Sequence, residues 1–199
     1  MKLDKFNLIK EKYGDVASWA CWSPQLDDKK KSGIDDLSIF DPSNTHNVID
    51  RLHTKAVLVA LNFSTEDMTY HPWHNFHSSK STNTDFKLRY ALKDTKLWGC
   101  YMTDILKNFV EVDSEKAVEF FKENPEQLIP HVKSFQEELD FVCIEKPILF
   151  ALGGRVYELL KENFGKKFKI EKLNHYAYRH MNKEALRNHY LKVLNNGES

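Results

Sequence analysis

At 199 residues the chain is long enough for one α/β domain with a full core. It is 41% hydrophobic and 29% charged, the make-up of a globular protein, and 29 Lys+Arg against 29 Asp+Glu excludes a protein that coats nucleic acid through bulk charge. No apolar run nears the roughly 20 residues that span a bilayer, and Met1-Lys2-Leu3-Asp4-Lys5-Phe6 lacks the apolar core of a signal peptide, so a cytoplasmic protein away from membranes is expected.

Residues 4–13 place Phe6, Ile9 and Tyr13 on one face of a helix that stops at Gly14. Trp19 and Trp22, three apart, then read as a helix turn with both indoles inward, ended by Ser23-Pro24. Residues 25–47 are rich in Asp, Lys, Ser and Asn and read as a long surface connection. The stretch Val57–Ser64, V-L-V-A-L-N-F-S, is the centre of the chain. Its unbroken apolar run reads as a strand buried on both faces, and therefore as part of a parallel sheet covered by helices. From Ser64 to about Asp85 the chain is irregular but carries Tyr70, Trp73 and Phe76. A loop of that length in a compact domain is functional or disordered, and its aromatic load speaks against disorder.

A short helix is expected over Phe86–Ala91 and a second buried strand over Leu97–Thr103, ending at Asp104. Helices follow over 114–124 and 126–141, the latter with Leu128, Val132, Phe135 and Leu139 as its apolar face. Pro147–Leu152 is the third strand, followed by Gly153-Gly154 and a helix over Arg155–Phe164. Phe168–Leu173 is the fourth strand, 174–182 a polar and aromatic turn, and Lys183–Leu194 the closing helix. Strands alternating with helices give a three-layer α/β/α sandwich with a central four-stranded, mainly parallel sheet. We expect one domain over 1–199, with 1–52 as N-terminal helices and connection and 53–199 as the α/β core.

Charge is unevenly distributed. Residues 153–199 hold ten Lys/Arg and five Asp/Glu, so this part is a basic face that could hold phosphates, or simply a solvated pair of helices. Cys21, Cys100 and Cys143 form no C-x-x-C pair and read as buried thiols. His71, His74 and His77 are spaced H-x-x-H-x-x-H, which offers either a metal for a hydrolase or three loop histidines. The spacing is not the helical i, i+4 pair that zinc prefers, and Pro72 interrupts any helix.

In open α/β sheets ligands bind at the carboxyl ends of strands, which here brings together Asn62, Thr103-Asp104 and Asn174-His175. The order of a buried strand ending in Asx, an aromatic loop, a strand ending in an acid, a strand with small residues and a strand ending in His resembles the uracil-DNA glycosylase superfamily. The resemblance runs over Val57 to Leu194. L-N-F-S matches the family's water-positioning motif with Asn62, but lacks its proline and the following glycine. Phe76, 14 residues on, falls at the position of the Phe that stacks on the flipped base. Asp104 in Y-M-T-D falls where the family reads the base edge. H-Y-A-Y stands for the family's H-P-S-P and puts His175 at its His. Arg179, four residues later, takes the place of the wedge, with Tyr178 beside it. Ser64 would join these two on the DNA.

The resemblance implies a glycosylase-like fold and a monofunctional DNA glycosylase that hydrolyses the N-glycosidic bond of a flipped base, with DNA as partner and no metal or organic cofactor; the sequence does not give the oligomeric state, for which a monomer is favoured. The chemistry of the residues can be stated independently. A neutral His175 donates one N–H to the base's developing oxyanion. Asn62 holds a water but cannot take its proton, which makes such a site slow. An ionised Asp104 only accepts hydrogen bonds, so it suits an exocyclic amine rather than uracil O4. The plainer readings are that Asn62 ends its strand by a turn and that Asp104 caps a helix starting at Ile105. A non-catalytic nucleic-acid or nucleotide-binding module on the same fold is the alternative function.

Overall fold

The computed structural model describes residues 1–23, 33–62, 71–80, 83–107, 109 and 114–196. Ten residues, His53–Asn62 (β2), run through the middle of a five-stranded sheet. The sheet is completed by Ala17–Trp19 (β1), Cys100–Leu106 (β3), Ile148–Leu152 (β4) and Ile170–Leu173 (β5), in the order β1-β3-β2-β4-β5. β3, β2, β4 and β5 are parallel, and β1 is antiparallel to β3.

The apolar run of β2 divides by parity. Val57, Val59 and Leu61 enter one core, and Ala56, Leu58 and Ala60 enter the other. The first core is covered by Leu3–Tyr13 (α1), Ser114–Glu123 (α3), Pro125–Val142 (α4) and Gly154–Phe164 (α5) through Phe6, Phe121, Phe135, Leu139, Leu160 and Phe164. The second is covered by Asp85–Leu92 (α2) and Lys183–Asn196 (α6) through Leu88, Leu92, Leu186, Tyr190 and Leu194. This is the α/β/α sandwich that strand–helix alternation implies. Among the described residues no helix is long and apolar enough to cross a membrane.

Two elements differ from the sequence reading. Ala17–Trp19 is a fifth strand, not a helix turn. Trp19 and Cys21 point into the first core while Ala20 and Trp22 point into the second, so the indoles lie on opposite faces of an extended chain. The second difference is that β3 begins three residues late. Leu97–Gly99 form a turn in which Gly99 takes φ 84°, and a Cβ there would lie 2.8 Å from the Arg51 carbonyl oxygen. The strand therefore starts at Cys100 and carries Asp104 inside it, opposite Ala60, with Leu106 still paired to Asn62. No helix begins at Ile105 for Asp104 to cap. Cys21 and Cys100 are buried thiols and Cys143 is half-buried.

Candidate functional site

Strand parity puts Asn62 on the same face as Leu58 and Ala60, and Asp104 on the same face as Met102. Both thus belong to the α2/α6 side of the sheet, at its carboxyl edge. The Asn62 amide donates to the Phe109 carbonyl at 3.1 Å and so ties the end of β2 to the chain beyond β3. Asp104 is 2% exposed. Its Oδ2 accepts from the Asn75 amide at 2.8 Å, and the same amide nitrogen donates to the Val16 carbonyl at 3.2 Å. Two acceptors on one side fix which end of the Asn75 amide faces them. Burial raises the Asp104 carboxyl to about 6, against the lowering field of Lys107 and the Asn75 hydrogen bond.

The loop that carries Asn75 is held in a demanding conformation. Trp73 and Phe76 take φ of 72° and 67°, rare for bulky side chains. Hydrogen bonds to the β1 region enforce it: Trp73 N–H to the Gly14 carbonyl at 2.8 Å, and Ser18 Oγ to the Trp73 carbonyl at 2.8 Å. Phe76 is 5% exposed and its ring lies in the second core.

A second buried acid stands nearby. Asp85 opens α2, and its Oδ2 accepts from the Ser78 N–H at 2.8 Å. The Tyr176 hydroxyl also donates to Asp85, and burial lifts the Asp85 carboxyl to about 6. Burial and the charges of Asp85 and Asp104 together push the Tyr176 phenol well above its usual range, so Tyr176 stands within the field of both acids. His175 stacks on Tyr176 with ring centroids 4.4 Å apart and planes at 22°. His175 Nδ1 accepts from the Ala177 N–H at 3.1 Å, and burial drives the imidazole down to about 4. The ring is therefore neutral at pH 7 with its proton on Nε2, which makes it a single N–H donor.

Tyr178 is 51% exposed and packs edge-on to His180, and Arg179 is exposed on the same turn. Ser64 lies outside the described residues. Gly153 takes a φ of 105° to pass from β4 into α5, a conformation that side-chain-bearing residues rarely adopt.

The three loop histidines separate. His71 is exposed, while both nitrogens of the fully buried His77 face backbone carbonyls, Asn75 at Nδ1 and Cys21 at Nε2, each at 2.9 Å. Burial depresses His77 to about 4. Its ring fastens the loop to the end of β1. Among the described residues no group of three His, Cys, Asp or Glu is arranged to hold a metal.

Asn62, Asp104, Phe76 and His175 thus belong to one rim of the sheet. Asn75, Asp85 and Tyr176 complete it and were not singled out from the sequence. Asn75 adjoins Phe76 and Tyr176 adjoins His175, so adjacency was the only signal available. The class this defines is an open α/β/α protein with buried acid–amide and acid–phenol pairs at the strand carboxyl ends, beside a neutral histidine. No family model, curated protein or solved structure matches the chain.

Proposed function

We propose that this rim is a nucleobase site and that the protein is a DNA glycosylase-like hydrolase acting on a flipped base. The observation that supports the reading best is the pairing of buried Asp104 with Asn75 on the sheet face that also carries Asn62. In this reading Asp104 accepts from an exocyclic amine, as on cytosine or adenine. His175 donates Nε2–H to the base as its bond to C1′ breaks and negative charge gathers on it. Asn62 orients the water that adds to C1′. With no carboxylate there to take the proton, the reaction is slow. Tyr178 and Arg179 on the exposed turn fill the gap that the base leaves.

The test is cleavage of labelled oligonucleotides bearing uracil, hypoxanthine, xanthine or mismatched cytosine, single- and double-stranded, with alkali to open abasic sites. Cleavage lost in Asn62→Ala and His175→Ala supports the reading. The rate should rise with pH through about 6, as Asp104 ionises, and then level off. One observation favours the alternative of a binding module. Phe76 and Asp104 are 5% and 2% exposed, so a base must open the rim to reach them. Salt-sensitive DNA binding without cleavage of any substrate would select that alternative.

A further inference from the structure

The opposite end of the sheet holds a cavity of about 470 Å³, within the range of small-molecule sites. Arg51 precedes β2 and Trp98 precedes β3, so the cavity opens beneath the amino ends of the strands, away from the rim described above. Its lining includes Arg51, Arg89 and Lys93 together with Asp94. Arg89 is 3% exposed, which sets a guanidinium inside the wall rather than on its lip.

Two indoles line the same space. Trp98 is half-buried, and Trp22, 2% exposed, packs against it at 5.5 Å and stacks on His77 at 4.9 Å. Among the described residues the Trp22 indole N–H is buried without a hydrogen-bond acceptor, as are those of Trp19 and Trp73, but of these three indoles only Trp22 lines the cavity. The carboxyl end of α2, whose carbonyls would repel an anion, is already covered: Arg187 donates to the carbonyls of Tyr90 at 2.8 Å and Lys93 at 2.6 Å.

We propose that this cavity is a second ligand site, for an aromatic phosphate of nucleoside-monophosphate size. The phosphate sits among Arg51, Arg89 and Lys93, the ring lies against Trp98, and an acceptor of the ligand meets the Trp22 N–H. Guanidinium forks suit phosphate oxygens, and an indole face suits any aromatic base. The proposal stands apart from the glycosylase reading, because no residue is shared.

The four tryptophans supply the test. Nitrogen-15 spectra of the full chain are recorded with AMP, adenosine and inorganic phosphate, following the four indole N–H signals. The expected result is that AMP shifts the Trp22 and Trp98 signals saturably and leaves those of Trp19 and Trp73 in place. Adenosine and phosphate should each need at least tenfold higher concentration, and the exposed Arg51→Gln should weaken AMP at least tenfold with the ligand-free spectrum kept. Trp22→Phe and Trp98→Phe, each removing one of the four signals, identify the two that should move. The proposal is overturned if AMP at millimolar concentration leaves Trp22 and Trp98 unmoved, if adenosine or phosphate alone binds as tightly, or if Arg51→Gln changes nothing. It is equally overturned if binding is lost in Asn62→Ala instead, which would assign AMP to the other rim.

Discussion

A buried carboxylate lies on either side of β3, Glu138 of α4 on one and β3's own Asp104 on the other, and the two are treated differently. On the α4 side Glu138, fully buried, accepts from the Tyr101 and Thr103 hydroxyls, both at 2.8 Å, and pairs with the Lys107 ammonium at 2.8 Å. Lys107 also donates to Thr103 Oγ1, which closes the network. On the α2 side Asp104 has one neutral amide, Asn75, and only the more distant field of Lys107. Glu138 is a charge provided with counter-charge and donors, as a structural acid requires. Asp104 is an acid left able to gain or lose its proton near neutrality, as a functional acid requires. One lysine influences both acids and neutralises only the first.

The sharpest way to break this contrast is Lys107→Met, which strands Glu138. A loss of about 3–5 kcal/mol is expected in urea unfolding, and Lys107→Met with Glu138→Gln should recover most of it. A single-variant loss below about 1 kcal/mol would mean that the ion pair does not hold Glu138 in place.

Asp104→Asn should act in the opposite sense. The folded carboxyl lies near 6 against an ordinary 3.8, so the native state holds its proton more tightly than the unfolded chain. Stability from this group is fully present below the ordinary value, falls as pH climbs to about 6, and beyond that carries a constant penalty of up to about 3 kcal/mol. The amide should therefore stabilise the protein by about 1–3 kcal/mol at pH 8 and by almost nothing below pH 4, read from paired unfolding curves. Equal gains at both pH values would place the effect in packing rather than ionisation.

Tyr176→Phe removes the phenol that donates to Asp85. It should cost about 2 kcal/mol at pH 8, where Asp85 is charged, and less at pH 4. The carbon-13 titration of the Asp85 carboxyl should move above its present value of about 6. Arg179→Ala, on the exposed turn, is the smallest perturbation. Stability should stay within about 0.5 kcal/mol, and on the glycosylase proposal the salt dependence of DNA binding should lose about one phosphate contact.

The layers of the fold were legible because β2 and the parallel strands are apolar on both faces and the helices carry single apolar stripes. β1 was not, although its alternation is regular. Ala17, Trp19 and Cys21 face one core and Ala20 and Trp22 the other, so both faces are apolar apart from the buried Ser18, and a single serine does not mark a period. At the rim, Asn62 and His175 were legible as strand-end polar residues, and Asp104 was legible as a residue but not as part of a strand. The start of β3 follows Gly99 at φ 84°, where an added Cβ would lie 2.8 Å from the Arg51 carbonyl oxygen, a close approach between segments distant in sequence. Asp85 and Asn75 were missed because burial of an acid, and the amide that answers it, are properties of packing rather than of local pattern.

The closure of the sheet at β1 has a consequence for how the protein behaves in concentrated solution. β1 is three residues long, and its flank is occupied by the 73–75 loop through the Gly14 and Val16 carbonyls and the Ser18 hydroxyl. The other border, β5, is four residues long and presents Glu171 and Lys172, with Lys169 paired to Glu171 at 3.4 Å. Neither border offers a long, bare run of backbone on which a second chain could template a strand. The native sheet is thereby guarded against edge-to-edge aggregation at both ends, and the loop that presents Asn75 to Asp104 is also the guard of one of them.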